Sequence, residues 1–229
     1  MRDLLPKQLS YNRFIELVSR LAIEMMLFLQ VCCLGRCTGI SFIDSTSIPV
    51  CHNKRIRRNR VFKEYASIGK STMGWYFGFK LHLTCNERGE LVSFMVTKAN
   101  VDDRDERVFN SLSNNLFGKL FADKGYISQG LFERLYNDGI NLVTGLRSNM
   151  KNKLIPLYDK ILLRKRSVIE TINDELKNVA QLVHSRHRSV FNFAINALSA
   201  LAAYCFFEKK PAINVDFCID RQGQHLTLF

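Results

Sequence analysis

The clearest hydrophobic pattern in the chain is an alternation between residues 76 and 85. Apolar and more polar positions follow each other with a period of two, which is typical of a β-strand with one buried face. His82 falls on the polar face, where we expect a surface residue. A turn at 86–89 and a second apolar run at 91–97 follow, so the pattern predicts a β-hairpin.

Three shorter apolar runs predict further strands, at 40–43, 119–122 and 140–144. The first two end directly before an aspartate, Asp44 and Asp123 respectively. Strands that alternate with helical segments favour an α/β fold, in which helices flank a central mixed sheet.

Helical spacing of apolar residues marks three longer segments, at 8–34, 165–183 and 188–208. In the second of these, one face is predicted to be core; it consists of Ile169, Ile172, Leu176, Val179 and Val183. Two shorter helices are expected elsewhere, one capped by Asp102 and Asp103 and the other by Ser128.

Residues 53–73 lack periodicity and are predicted to form a loop. Six cations occur there without an acid between them: Lys54, Arg55, Arg57, Arg58, Arg60 and Lys63. The whole chain has 229 residues and a formal charge of +12, which favours a polyanionic partner such as nucleic acid. A solvated basic surface is the simpler alternative.

Cysteine content and hydropathy disfavour three classes of protein. The seven cysteines form no CxxC pair, so a disulfide framework and a paired-ligand zinc site are both disfavoured, and we expect reduced thiols in a cytoplasm. The apolar run at 25–34 is much shorter than the roughly 20 residues that span a bilayer, so no membrane role is expected.

Three acids occupy special positions in this plan: Asp44 and Asp123 follow strands, and Glu170 lies on a late helix. A charge next to a buried strand needs a partner, and converging carboxylates form a usual site for a divalent cation. Two simpler explanations stay open. The aspartates can be turn caps, and Glu170 can pair with Arg166, four residues earlier.

Several strings resemble a bacterial insertion-sequence transposase of the DDE superfamily, in particular the insertion-sequence family numbered nine hundred and eighty-two. They are Phe42–Thr46, Val50–Asn53, Thr72–Trp75, Gly78–His82, Asn100–Arg104, Asp123–Tyr126 and Arg166–Lys177. The resemblance implies an RNase H-like catalytic domain at 39–210, between a helical N-terminal remnant at 1–38 and a tail at 211–229. It also assigns the catalytic, metal-binding acids to Asp44, Asp123 and Glu170.

The resemblance further implies a reaction and its partners. Two Mg²⁺ ions, replaceable by Mn²⁺, would cleave double-stranded DNA at the element's ends and join it to target DNA. Arg166 and Lys177 would join the basic loop in binding DNA, with Ser45 and Tyr126 as positioning residues. Tyr126 and Trp75 are also candidates to stack on an unpaired end base, although burial of Trp75 is as plausible. A homodimer on DNA, near the bacterial nucleoid, is expected.

Two departures from the family pattern keep alternatives open. Leu163 replaces a tyrosine of the family's helix motif, and the segment of about forty residues before Asp44 is shorter than is usual in the family. A truncated, inactive DNA-binding remnant is therefore one alternative. A metal-dependent nuclease without strand transfer is the other.

Overall fold

The computed structural model describes residues 9–146, 154–183, 187–213, 216–220 and 223–227. The helix predicted at 8–34 divides at Leu21 into α1 (Tyr11–Arg20) and α2 (Ala22–Phe28), followed by a π-helical turn at Leu29–Cys33. The backbone N–H of Leu21 donates to the Val18 carbonyl, which closes α1. No helix within the described ranges is long and apolar enough to span a membrane.

A curled, mixed sheet of six strands is the centre of the fold. Its strands are β1 (Ile40–Cys51), β2 (Ser67–Ser71), β3 (Gly74–Asn86), β4 (Leu91–Lys98), β5 (Gly118–Ala122) and β6 (Ile140–Thr144). β3 runs antiparallel to β1, β2 and β4, whereas β5 pairs in parallel with β1 and with β6. The predicted β3–β4 hairpin, β5 and β6 are confirmed.

β1 extends well beyond the predicted strand. Asp44 does not end the strand but lies inside it, opposite Leu83 of β3. Pairing with β5 stops at Phe42, so beyond that residue β1 keeps a neighbour only on the β3 side. The contact between β1 and β3 is close: a side chain at Gly78 would collide with the Ile48 carbonyl oxygen. β2 was also missed, because 53–73 was predicted to be a loop.

Helices cover both faces of the sheet. The remaining ones are α3 (Glu106–Ser113), α4 (Gln129–Asn137), α5 (Leu157–Lys165), α6 (Ser167–Asn178) and α7 (Val190–Cys205). α6 and α7 pack on the face that contains Phe42, Leu81 and Leu83, and α3 and α4 pack on the opposite face. The predicted surface position of His82 is therefore wrong: it is fully buried, because α3 covers the polar side of the hairpin.

Three predictions about the helices also need correction. Asp105, not Asp102 or Asp103, caps α3, and its side chain accepts from the backbone N–H of Arg107 at 2.9 Å. α6 ends at Asn178, so Val179 is 62% exposed instead of belonging to the core. α5 was not predicted.

At the C-terminus, Asp216–Asp220 (β7) and Gly223–Thr227 (β8) form a separate antiparallel pair.

Candidate active site

The two strand-associated aspartates lie at the same level of the sheet. In the parallel register of β1 and β5, Phe42 stands opposite Phe121. Asp44 and Asp123 each follow two residues later, at the point where the two strands separate. Because side chains alternate along a strand, both acids have the parity of the two phenylalanines, which belong to the core beneath α6 and α7.

Arg166 links the third acid to this edge. Its Nη2 atom lies 2.8 Å from Oε1 of Glu170, four residues later in the chain, and 3.9 Å from Oδ1 of Asp123. The ion pair expected as the simpler explanation for Glu170 is thus present. It does not separate Glu170 from Asp123, since the same nitrogen lies within ion-pair distance of both carboxylates.

Asn173 connects α6 to Asp44. Its Nδ2 donates to Oδ2 of Asp44 at 3.0 Å, from a position one helical turn after Glu170. Asn173 was not predicted as a site residue. The signal was available, because Asn173 adjoins Ile172 and Leu176 on the buried face, and a buried amide needs a hydrogen-bond partner.

The environment of Asp44 disfavours its charged form. Burial raises the pKa of Asp44 to about 6, and the Glu170 and Asp103 carboxylates act in the same direction. The Ser45 backbone N–H and the Arg166 guanidinium oppose this increase in the pKa. A carboxylate in such a position gains from a further cation nearby.

The three acids are of the chemical type that binds a hard divalent cation, but their present rotamers do not form a metal site. Carboxylate oxygens are the ligands that Mg²⁺ prefers. In the described part of the chain, however, no three His, Cys, Asp or Glu side chains are arranged to hold one metal ion. Arg166 lies against Glu170 and Asp123, so an ion bound there would have to replace or move its guanidinium.

Tyr126 and Ser45 lie on the other side of Asp44. Tyr126 is buried, and its ring packs edge-on against Phe109 at a centroid distance of 5.8 Å. Burial, together with the Asp103 and Asp44 carboxylates, raises the pKa of Tyr126 well above its ordinary value, while Ser45 and Arg166 lower it. Its hydroxyl oxygen is buried and forms no hydrogen bond of good geometry with the described residues.

The carboxylate of Asp103 is held by Lys80. The Lys80 Nζ lies 3.0 Å from Oδ1 of Asp103 and donates to the Val101 carbonyl at 2.8 Å. The same carboxylate oxygen is 3.7 Å from Nδ1 of buried His82, whose Nε2 contacts Thr97 at 2.9 Å. This polar network underlies the hairpin on the α3 side of the sheet.

The basic loop is an exposed surface with a short 3-10 helix at Asn53–Arg58. Its six cations are all solvent-exposed, and none forms an ion pair with a residue that the structure describes. Among the contacts that hold the loop, Nδ1 of His52 accepts from the backbone N–H of Lys54, and Nδ2 of Asn53 donates to the Trp75 carbonyl. A cavity of about 1150 Å³ lies beside it, lined partly by His52, Arg55 and Arg58.

The two predicted DNA-binding cations on α6 differ from those of the loop. The side chain of Arg166 is only 18% exposed and is engaged by acids. Lys177 is half-buried, and burial lowers its pKa, against the opposing influence of Asp174 and Asp44. Both therefore belong to the electrostatic surroundings of the acids.

A family model described as "Transposase DDE domain" matches residues 34–190, which is well over half of the chain and includes all three acids. Among curated proteins, none matches significantly. Transposase DDE domains act on DNA and generally use divalent metals, and the mixed sheet flanked by helices agrees with their RNase H-like fold. The chain belongs to the transposase DDE domain family.

Proposed function

We propose that the chain cleaves DNA at the ends of an insertion sequence and joins the freed strand to target DNA. The proposal extends to the insertion-sequence family numbered nine hundred and eighty-two, to a homodimer as the working form, and to a site of action at the bacterial nucleoid. The strongest support is that Asp123 and Glu170 both lie within ion-pair distance of the same Arg166 nitrogen. In addition, Asn173 on the helix of Glu170 donates a hydrogen bond to Asp44.

Asp44, Asp123 and Glu170 would hold two Mg²⁺ ions, for which Mn²⁺ can substitute. Such ions supply a Lewis acid that activates water and stabilises the charge of the leaving oxygen. In the absence of metal ions, Arg166 neutralises Asp123 and Glu170. On metal binding we propose that its guanidinium turns towards a DNA phosphate, for which its planar donors are suited.

The basic loop would hold the DNA backbone, through Lys54, Arg55, Arg57, Arg58, Arg60 and Lys63. Its exposed cations have no protein partner to displace within the described chain, so phosphates can bind directly. Lys177 adds positive charge beside Asp44. Tyr126 and Ser45 would position the scissile phosphate, Tyr126 by donating from its undissociated hydroxyl.

Isosteric replacement of the acids tests the proposal. Asp44→Asn, Asp123→Asn and Glu170→Gln should each abolish Mg²⁺-dependent nicking of end-containing DNA, while binding in EDTA persists. Asp174→Asn is the matched control, because Asp174 is an exposed acid one turn after Glu170 on the same helix. Full cleavage by any of the three variants would contradict the assignment.

The products distinguish the alternatives. Strand transfer of a pre-cleaved end into plasmid DNA is expected for a transposase. Nicking without transfer would identify a nuclease, and binding without either reaction would identify a non-catalytic DNA-binding protein.

A further inference from the structure

The N-terminal helices expose an apolar surface that none of the roles proposed above uses. In α2 and the π-helical turn that follows it, the side towards the core consists of Met25, Leu29 and Cys33. Residues two positions away point about 200° around the helix, to its opposite side. That side consists of Ile23, Leu27 and Val31, which are 74%, 55% and 79% exposed. We call these three residues the exposed stripe.

The exposed stripe belongs to a larger apolar area. Tyr11 and Phe14 of α1 are 77% and 52% exposed. Phe28 of α2 stacks on Phe206, which is 69% exposed, at a centroid distance of 6.2 Å. At roughly 150–250 Å² for a large side chain, these residues and the stripe present on the order of 800 Å². A stable protein–protein interface takes about that area from each partner.

The charge balance of this area favours a second copy of the chain as the partner. Residues 9–35 contain two cations, Arg13 and Arg20, and two anions, Glu16 and Glu24, so their net charge is zero in a chain of +12. Glu16 forms an ion pair with each of the two arginines at 2.9 Å. Two basic copies therefore repel each other least where these neutral helices meet. The same neutrality disfavours DNA as the partner at this surface.

The exposed stripe is complementary to itself. Leu27 is its middle residue, about 6 Å along the helix axis from Ile23 on one side and from Val31 on the other. If two α2 helices pair antiparallel about a two-fold axis, Leu27 meets its own equivalent, and Ile23 of each copy meets Val31 of the other. Residues 25–35 contain no charge, so the centre of such a contact buries none.

We propose that α1 and α2 form the interface of a two-fold symmetric homodimer, with the exposed stripe at its centre, and that this dimer assembles without DNA. The inference deepens the proposed function, from which it takes only the homodimer as the working form. It requires neither metal binding nor cleavage.

The oligomeric state of the full chain, measured by sedimentation velocity in EDTA without DNA, tests the interface. The native chain should be a dimer at micromolar concentration. Leu27→Glu should raise the dissociation constant of the dimer by roughly 100-fold or more, because two like charges would meet in a desolvated contact. Leu27→Met should keep the dimer.

The control is Leu157→Glu, because Leu157 is 74% exposed on α5, outside the proposed interface. Leu27 is itself 55% exposed in the single chain, so its glutamate is hydrated once the copies separate and the far-UV circular dichroism should stay native. A monomeric native chain, or equal dissociation constants for the two glutamate variants, would overturn the proposal. Binding of a monomeric native chain to phosphatidylcholine vesicles would assign the apolar surface to a membrane instead.

Thiol cross-linking tests the two-fold arrangement. Cys32 is exposed beside the stripe, so the experiment uses a Cys32→Ser background. In that background Leu27→Cys should give a covalent dimer with a short bismaleimide, whereas Leu157→Cys should not. A yield for Leu27→Cys no higher than that of the control would refute self-contact at the axis. If the dimer behaves as described but cleavage is never observed, the proposed function fails and this inference stands; cleavage by a strictly monomeric chain would have the opposite meaning.

Discussion

Burial of Asp44 disfavours its charged form, although the proposed role as a metal ligand requires that charge. Its carboxylate is partly withdrawn from water beside Glu170, and contacts with Asn173, Ser45 and Arg166 compensate in part. Because burial penalises the charged form, Asp44→Asn should be at least as stable as the native chain at pH 8. Loss of cleavage by this variant would therefore not reflect unfolding.

We expect Asn173 to increase the affinity of the site for metal ions, because its hydrogen bond holds the Asp44 carboxylate in place. Asn173→Ala frees the carboxylate to adopt other rotamers, and a lost hydrogen bond to a charged group corresponds to about 1.5–3 kcal/mol. We expect the half-saturating Mn²⁺ concentration, measured by calorimetry, to rise by roughly tenfold or more. Thr171→Ala, an exposed change on the same helix, should leave it unchanged, and equal effects of the two variants would contradict the assignment.

His82 should make the fold sensitive to acid. Burial lowers the pKa of His82 to about 4, so the folded state holds it neutral where the unfolded chain, with an ordinary pKa near 6.5, takes up a proton. Stability is thus complete above pH 6.5 and is lost as the pH falls towards 4. By pH 5 the loss should be about 2 kcal/mol in the free energy of unfolding.

The contribution of His82 can be isolated by His82→Gln. This variant cannot take up the proton, so its unfolding free energy should change less between pH 7 and pH 5 than that of the native chain. Urea denaturation at both pH values measures the difference. An identical pH dependence in the two proteins would assign the acid sensitivity to other groups.

At the scale of elements, we expect the basic loop to strengthen DNA binding in proportion to the number of its positive charges. Arg55, Arg57 and Arg58 lie on its 3-10 helix, and each phosphate contact contributes about 0.9 to the slope of log K against log salt. The triple change to Gln should reduce that slope by up to about 2.7 and weaken duplex binding at low salt. A control triple at Arg20, Arg88 and Lys209, which are exposed elsewhere, should leave the slope nearly unchanged.

Elements were predictable where the local pattern agreed with the tertiary neighbours. The β3–β4 hairpin and the short strands β5 and β6 have a clear local hydrophobic pattern, so their prediction needed no information about distant residues. The extension of β1 was missed because Asp44, Ser45 and Ser47 do not favour a strand locally. Pairing with β3 holds that segment extended, and such tertiary support is invisible in the local sequence.

The candidate site shows the same limit at finer detail. The placement of Asp123 directly after a strand and of Glu170 on a helix followed from their local strings, whereas Asp44 lies inside β1 and not at its end. The placement of Arg166 against two of them, and of Asn173 against Asp44, depends on side-chain rotamers and helix packing. The burial of His82 likewise depends on α3, which is distant in the sequence.

At the scale of the whole molecule, one sheet joins two cores. Phe42 packs in the core beneath α6 and α7, and Phe109 packs in the core beneath α3 and α4; both are fully buried. β1 contributes to each, because Phe42 and Ile43 point to opposite faces. The acids lie at the edge where these two cores meet, so their geometry depends on both.

The two cores should therefore unfold together. Phe42→Leu and Phe109→Leu each keep an apolar side chain of similar size and should each lower the free energy of unfolding by about 1 kcal/mol. Because the cores share β1, both variants should shift one common urea transition, with far-UV and near-UV circular dichroism changing in step. Two separated transitions, with each variant moving only one of them, would show instead that the faces fold independently and that the acids can be disrupted from one side alone.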